Sequence, residues 1–542
     1  MPSPRGARRS SPPSRPRRPA ILSRWSGAAI VALALVLRLA GVGWGLPDGT
    51  HFFSFHPDEF ETCGRVVRIL NTGDWNPEFF NYGSFYLYLV TILAWPFHAL
   101  GMFESVTGAH VVARVVSALA GAATVLVAER IARRVAGMSL AVWAALFVAL
   151  APGHVLHSTF ATVDATATLL VAAALLYAIE AREGGRRHFL VAGALAGLAA
   201  GTKYATGLVL VAPLLAAFRS EERVPRREQV VRAALVIASA AVAFFIAVPY
   251  ALITPDRFAA DVRFELLVHP REGHLDFFER TGDGWSYHLF ANLPYVLGAP
   301  LLMLALAGVA LLVARRRRDD WLLLAFAFPY LIGLGSSHVR FLRYTLPLVP
   351  VLGVAGAVAL GAIRGEDRTR RLLTQVAGGA SLAWAVLLTG LQLVAMTRPD
   401  PRTRAADEIS ARLRPGSTIG LAHLPWFATP PVTPWNGAER TRSRFESEPS
   451  TYRFVVCENW DMTALERARP DVFVMSEFEW RESERLNDPA EAAFLLKLER
   501  EYVMVARFEN LGFDARRVFG RPFAPHDWLY PFAEVRVWRR LG

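Results

Sequence analysis

Long apolar stretches alternate with short polar ones along most of this 542-residue chain. A helix needs about 20 mostly apolar residues to cross the hydrocarbon core of a membrane. Stretches near that length recur up to residue 397, after which the pattern becomes that of a soluble protein. The apolar segments lie at about residues 25–46, 83–103, 109–131, 138–156, 162–180, 187–203, 204–219, 229–253, 287–314, 321–337, 340–363 and 372–397.

Arginines mark one set of the turns between these segments. Basic turns alternate with turns of low charge such as 152–161. By the positive-inside rule the basic turns face the cytoplasm. If the amino terminus is also inside, a full crossing by 83–103 would put every later basic turn outside. We therefore expect either that this segment does not cross or that a further crossing exists, with about 11 or 13 spans in all. The basic turns are 130–134, 182–187, 219–232, 315–318 and 364–371.

These patterns predict an all-α polytopic membrane protein with a carboxyl-terminal extracytoplasmic α/β domain. We expect residues 1–19 to form a basic, disordered cytoplasmic arm, and the stretch after it is typical of an uncleaved membrane anchor. The membrane domain covers 20–397 with external loops 47–82 and 254–286, and the soluble domain covers 398–542. In the soluble domain, periodicity predicts helices at 402–414 and 491–502 and strands at 417–421, 452–457 and 471–476.

Composition supports a membrane protein and excludes some other classes. The chain is 53% hydrophobic and 20% charged, against about 25% charged in soluble proteins. The net charge of +12 does not indicate nucleic-acid binding, because the arginines lie in the leading arm and the short turns. Two cysteines cannot form a disulfide scaffold. Lysine is rare, with Lys203 and Lys497 the only two, so Lys203 at the end of an apolar segment stands out.

The strongest candidate for chemistry lies in the first external loop, which has a net charge of −4. Its sequence His56, Pro57, Asp58, Glu59 places two adjacent carboxylates at the membrane edge. Such a pair can hold a metal, accept a proton or solvate a loop. Glu59 is either a partner carboxylate or a solvated neighbour, and the residues leave both open.

An ordered set of fragments continues from this loop. Gly73–Pro77 and Asn81–Leu89 follow it, then Phe160–Asp164, Gly197–Tyr204 and Arg343–Pro350. Together, over residues 20 to 400, they resemble the GT-C glycosyltransferases of family 39, the bacterial relatives of protein O-mannosyltransferases and aminoarabinose transferases. The resemblance implies a hexosyl- or pentosyltransferase of the inverting type in the bacterial inner membrane. Its partners would be membrane lipids, a polyprenyl-phosphate sugar donor and a protein, lipid or glycan acceptor, with chemistry at the extracytoplasmic face.

The resemblance also implies roles for single residues. Asp58 would act on the acceptor hydroxyl as the base, and Glu59 and Asp164 are further catalytic candidates. The lipid phosphate would be bound by Lys203 and Arg271, with His269 and Tyr82 nearby. Two other interpretations stay open: Lys203 could extend its ammonium into the headgroup region, and Asp164 could cap the helix that it precedes.

A metal and a different function class are the remaining alternatives. Aminoarabinose transferases carry Glu-Lys-Pro where this chain has Asn81, Tyr82 and Gly83, so we assign no metal ligands and leave a divalent metal open as a cofactor. A transporter or lipid flippase would place ionisable residues near the middle of the membrane and show two related halves, and neither is evident. A polyprenyl-linked glycan ligase or polymerase would join whole glycans.

Overall fold

The fold is that of a computed structural model, which describes residues 21–102, 106–219, 224–435, 441–510 and 524–542. The predicted arm at 1–19 lies outside the described residues. The helices up to residue 200 are α1 (Ile21–Leu39), α2 (Pro57–Thr72), α3 (Phe85–Ala99), α4 (Val106–Val135), α5 (Met138–Leu150), α6 (Pro152–His157), α7 (Asp164–Gly184) and α8 (Arg186–Ala200).

The second half of the membrane region contains more broken helices. Short 3₁₀ or π turns cover Tyr204–Leu210, Phe264–Val268, His288–Asn292 and Leu342–Leu348. The α-helices here are α9 (Val211–Phe218), α10 (Arg226–Ala247), α11 (Tyr250–Ile253), α12 (Pro255–Arg263), α13 (His269–Glu272), α14 (Gly284–Tyr287), α15 (Leu293–Leu297), α16 (Ala299–Arg315), α17 (Arg318–Gly335), α18 (Val349–Ile363) and α19 (Arg368–Thr397).

The arginine-bearing turns meet at one end of the helix bundle, which we call the arginine end. Polar contacts join the turns after α4, α7, α9, α16 and α18, which the positive-inside rule predicts to share one side. Asp58 lies at the opposite end, which we call the site end. The joining contacts are Arg134–Glu183 at 2.9 Å, Arg186–Glu228 at 2.5 Å, Arg318 to the Ala216 carbonyl at 3.4 Å and Arg364–Ser139 at 2.9 Å.

Helix α3 explains the parity problem in the sequence. Its first residue, Phe85, donates its N–H to the Gly201 carbonyl at 3.0 Å, at the site end. The helix packs on α2 and on the first three turns of α4. Helix α4 starts at the site end as well, where the Thr107 hydroxyl donates to the Pro47 carbonyl at 2.8 Å. The chain therefore leaves the site end at the start of α3 and is at the same end again where α4 begins.

Length and hydropathy single out fewer spans than the sequence pattern suggested. Within the described ranges, five helices are long and apolar enough to cross a membrane. A sixth is possible if 284–297 and 299–315, which meet at a bend of 117°, are taken as one span. Four shorter apolar helices lie beside them. A multi-pass membrane protein is thus supported, and the total of 11 or 13 spans stays a prediction.

The carboxyl-terminal part contains a five-stranded sheet with the order β2-β1-β3-β5-β4. The first three strands in that order are parallel, and β5 is antiparallel to β3 and β4. The predicted helices and strands are confirmed to within about two residues, while β4 and β5 were not predicted. The elements are α20 (Pro401–Arg412), β1 (Thr418–Leu421), α21 (Arg442–Ser447), β2 (Arg453–Val456), α22 (Met462–Ala468), β3 (Val472–Ser476), α23 (Glu477–Leu486), α24 (Pro489–Glu501), β4 (Tyr502–Phe508) and β5 (Val535–Arg540).

An apolar segment of the carboxyl-terminal part packs into the helix bundle. Trp528, Tyr530 and Phe532 are buried in the same cluster as the membrane helices. Trp528 contacts Tyr295 edge to face, with 5.0 Å between ring centroids. Burying aromatic rings of this size gives a strong apolar contact. The segment 524–532 therefore reaches the site end of the bundle.

Candidate active site

The local sequence sets the position of Asp58 at the start of α2. Pro57 occupies the first turn of the helix, where its missing N–H costs nothing. The His56 ring Nδ1 caps the helix by accepting the Asp58 N–H at 3.2 Å. Gly73 closes the other end with φ of +70°, a conformation that glycine adopts without strain. Asp58 is thereby held on a short, well-capped helix that lies outside the apolar segments.

Asp58 faces a cavity of about 350 Å³ at the site end. An Arg343 Nη lies 2.9 Å from its carboxylate, and the guanidinium sits 3.9 Å from the centre of the Phe341 ring. Burial raises the pKa of the Asp58 carboxyl above its ordinary value, although Arg343 acts in the opposite direction. The cavity is lined by Pro57, Asp58, Glu61, Phe79, Tyr82, His274, Leu275, Phe277, Phe341, Arg343, Trp426, Phe427, His526 and Tyr530.

A second ion pair lies beside this cavity. The Lys203 ammonium donates to the Asp164 carboxylate at 2.6 Å, and both side chains are more than nine-tenths buried. The same ammonium lies 4.1 Å from the centre of the Tyr344 ring, next to Arg343 in sequence. Lys203 therefore does not extend into the headgroup region. Asp164 does not cap α7 either, because it is the first residue of that helix and its carboxylate faces Lys203.

Glu59 points away from the cavity into a closed network. Successive residues of an α-helix are about 100° apart around its axis, so Asp58 and Glu59 face different surroundings. Arg114 binds both carboxylate oxygens of Glu59, at 2.8 and 2.6 Å, and the Ala161 N–H donates at 2.7 Å. Burial raises the pKa of the Glu59 carboxyl, but Arg114 outweighs it and holds this pKa well below its ordinary value. Glu59 joins α2, α4 and the loop before α7.

The other predicted residues differ in how near they come to Asp58. Tyr82 lines the cavity. His269 is one step removed, since its Nε2 lies 2.9 Å from Nδ1 of His274, which does line the cavity. Arg271 is exposed and does not line the cavity. Tyr82 thus shares the cavity with Asp58. Lys203 and Asp164 do not line it, but their charges act on Asp58, and Arg271 is not among the charges that do so most strongly.

Arg343 and Asp527 are the site residues that the sequence did not assign. Arg343 interrupts the apolar segment 340–363, and a charge inside such a segment is a functional signal by itself. Asp527 carries no such signal, because it lies in the polar part of the chain more than 100 residues after the last apolar segment. Its carboxylate nevertheless lies 3.4 Å from Arg343.

The donor groups of the site do not match a metal centre. Among the residues that the structure describes, no three His, Cys, Asp or Glu side chains gather as a ligand set. The carboxylates of Asp58 and Asp164 are each neutralised by a protein cation. His269 and His274 contact each other, whereas His56 caps α2. Cys63 and Cys457 are both free and buried.

A second cavity of about 510 Å³ continues from the first toward the sheet. The two share Phe277, Trp426, Phe427 and His526. The second cavity adds Phe478 and residues of the loop after β1. The Asp58 cavity is therefore adjacent to a mostly apolar groove that is lined by Phe277 and by residues of the carboxyl-terminal part.

Comparisons with known proteins agree with this architecture. Residues 93–252 match the family described as dolichyl-phosphate-mannose-protein mannosyltransferase. No curated protein sequence matches the chain significantly.

Solved membrane proteins share the fold over most of the chain. ArnT from Cupriavidus metallidurans, bound to undecaprenyl phosphate, is 18% identical with a TM-score of 0.51, covering 95% of this chain and 98% of its own. The oligosaccharyltransferase AglB from Archaeoglobus fulgidus, in complex with an inhibitory peptide and a dolichol-phosphate, is 15% identical with a TM-score of 0.51, covering 91% and 74%. The chain therefore shares the fold of ArnT and AglB.

Proposed function

We propose that this protein is an integral membrane glycosyltransferase that moves a sugar from a polyprenyl-phosphate carrier to an acceptor hydroxyl. The observation that carries the proposal is the Asp58 carboxylate, which lines a cavity together with Arg343, its partner at 2.9 Å. The Lys203 ammonium lies against Tyr344, the residue that follows Arg343. A base and two cations are what such a transfer needs at the membrane edge. The shared fold with ArnT and AglB, which were solved with polyprenyl-type phosphates, supports the same chemistry.

The transfer is a substitution at the anomeric carbon. Asp58 accepts the proton of the acceptor hydroxyl while that oxygen forms a bond to the anomeric carbon. The bond from this carbon to the phosphate oxygen breaks, and its electron pair stays on the phosphate. Arg343 and Lys203 stabilise the negative charge that develops on this leaving group. Direct attack of this kind inverts the configuration of the sugar.

The groove next to the cavity supports an acceptor route from the carboxyl-terminal side. It joins the cavity at Trp426 and Phe427 and extends toward the sheet. A donor with a long apolar tail would approach from the lipid side instead. The two substrates would then meet at Asp58 from different directions, which keeps acceptor and lipid tail from competing for one space.

Orientation is part of the proposal. The arginine end collects the basic turns, so by the positive-inside rule the site end faces away from the cytoplasm. In a bacterial inner membrane, the site and the carboxyl-terminal sheet would then be on the extracytoplasmic side. An alkaline phosphatase fused after Gly542 should be active in cells, and a fusion active only as a cytoplasmic reporter would contradict this orientation.

The function is tested by incubating the purified protein with polyprenyl-phosphate mannose and an envelope extract as acceptor source. We expect release of polyprenyl phosphate, reduced at least about 100-fold by Asp58→Asn. Asp74→Asn is the matched control, because Asp74 is an exposed acid of the same loop that pairs with Arg68. Full activity of Asp58→Asn would remove Asp58 from the mechanism. If polyprenyl phosphate is released neither from polyprenyl-phosphate mannose nor from donors that carry other sugars, the proposed function is wrong.

The mass of the product separates this proposal from a glycan ligase. A single sugar added to the acceptor supports a monosaccharide transferase. Addition of a whole glycan in one step would instead favour the activity type of AglB, an oligosaccharyltransferase. Movement of labelled lipid across a vesicle membrane without release of polyprenyl phosphate would favour a flippase.

A further inference from the structure

Asp527 lies in the carboxyl-terminal part but has its polar contacts in the membrane bundle. It is fully buried in the short 3₁₀ helix His526–Trp528. Its two carboxylate oxygens accept the backbone N–H groups of Leu342 and Arg343 at 3.0 and 2.9 Å. These are the first N–H groups of the helical turn 342–348, so Asp527 holds the start of that turn in place.

The same carboxylate also contacts the side chain of Arg343. One Nη of Arg343 lies 3.4 Å from Asp527 and the other lies 2.9 Å from Asp58. The guanidinium is thus held between two carboxylates, one from each part of the molecule. An arginine fork suits such an arrangement, because its nitrogens are fixed in one plane.

Sharing one cation has a consequence for Asp58. If Arg343 were paired with Asp58 alone, the Asp58 carboxylate would be a weak base, because a cation at this distance favours the ionised form. A second carboxylate on the same guanidinium weakens that effect. It also keeps Arg343 at the cavity when a phosphate approaches.

We propose that Asp527 is a positioning residue, which holds Arg343 between two carboxylates and thereby keeps Asp58 able to accept a proton. The proposal rests on the proposed function. Asp527 itself does not touch the cavity. It acts through Arg343, and the carboxyl-terminal part thus completes a site whose other charged groups belong to the membrane bundle.

The alternative is that Asp527 only fixes the fold by binding two N–H groups. A pH profile separates the two roles. The charged groups that act on Asp58 include Arg343, Lys203, Asp164 and Asp527. Tyr82, Tyr344 and Tyr530 are titratable groups that face it, and His157 lies 3.7 Å from Asp527. Removing the charge of Asp527 leaves Arg343 with Asp58 as its remaining carboxylate. The pH at which activity falls on the acid side should then move to a lower value, which a loss of stability alone would not cause.

The experiment compares Asp527→Asn with Asp471→Asn in the transfer assay with polyprenyl-phosphate mannose. Asp471 is a matched control, because it accepts the Thr418 N–H at 2.8 Å and lies 3.5 Å from Arg540, away from the cavity. We expect kcat to fall about 10- to 100-fold in Asp527→Asn, with little rise in the donor KM and an acid limb at lower pH. The control should stay within about twofold of the wild type.

Asp527→Glu keeps the charge and serves as a second variant if Asp527→Asn does not fold. We expect it to retain more activity than Asp527→Asn and an acid limb near that of the wild type. An unchanged acid limb in both variants, with kcat at the control level, would overturn the proposal. If the wild type releases no polyprenyl phosphate, the proposed function fails; if it does and only the Asp527 variants behave like the control, only this inference fails.

Discussion

Asp58 and Glu59 are neighbours on one helix, yet their surroundings are opposite. Glu59 is fully buried, with both carboxylate oxygens bound by Arg114 and one of them by a backbone N–H. Asp58 has one Arg343 contact and a side chain that is 24% exposed toward a cavity. A carboxylate whose lone pairs are occupied stabilises the fold, while one with free lone pairs beside a cavity can take a proton. Adjacent acids in a sequence therefore need not share a role.

The largest expected effect is on stability, at Glu59. Glu59→Gln leaves the buried Arg114 charge uncompensated, so we expect the free energy of unfolding to fall by about 3–5 kcal/mol. Asp58→Asn should cost less than about 1 kcal/mol, because Arg343 keeps Asp527 as a partner. Denaturant unfolding in detergent, followed by tryptophan fluorescence, measures both.

A double variant sharpens this comparison. Glu59→Leu combined with Arg114→Leu removes both charges, so it should be less destabilising than either single change. Equal losses for Glu59→Gln and Asp58→Asn would contradict the division between a structural acid and a site acid.

The next effect is on donor binding, at Lys203. Lys203→Met keeps much of the side-chain volume but removes the ammonium, so we expect the KM for polyprenyl-phosphate mannose to rise about 10-fold or more. Pairing it with Asp164→Asn avoids an unpaired buried carboxylate. Arg271→Ala is the control, expected within about twofold of the wild type because Arg271 is exposed away from the cavity. If the KM for the donor rises more in Arg271→Ala than in Lys203→Met, Arg271 in the external loop, and not Lys203, binds the donor.

The smallest expected effect is on the pH at which kcat/KM declines on the acid side. Because burial raises the pKa of Asp58, its carboxylate takes up a proton at a higher pH than an ordinary aspartate does. As pH falls, kcat/KM should therefore decline at a pH above about 3.9, the ordinary value. A pH profile of kcat/KM measures this limit. A decline that begins only below the ordinary value would mean that the Arg343 charge outweighs burial at Asp58.

The membrane pattern and several site residues were predictable from the sequence because each leaves a local signal. Apolar runs and arginine-rich turns predicted the bundle and its two ends, and periodicity predicted α20, β1, β2, β3 and α24. Lys203 stood out because lysine is rare and this one ends an apolar segment. Arg343 and Arg114 interrupt apolar segments as well, and the same argument applied to them would have marked both.

Other features left no local signal. The sequence left open whether Glu59 is a partner carboxylate of Asp58 or a solvated neighbour. Its surroundings depend on the direction in which its side chain points and on Arg114, which is 55 residues away. Arg271 is close in sequence to His269, but its side chain is exposed. β4 and β5 are edge and near-edge strands with a bulge between Met504 and Ala506, which blurs the alternation that predicts a strand.

The sequence by itself determined the membrane character, the arginine end and the acidic loop with Asp58. These follow from hydropathy and charge, which are properties of consecutive residues. Only the tertiary structure decided which charges share a site. Arg343 and Asp527 are 184 residues apart, and a buried segment of the carboxyl-terminal part brings them together. Ion pairing depends on distance in space, and hydropathy along the chain carries no information about that distance.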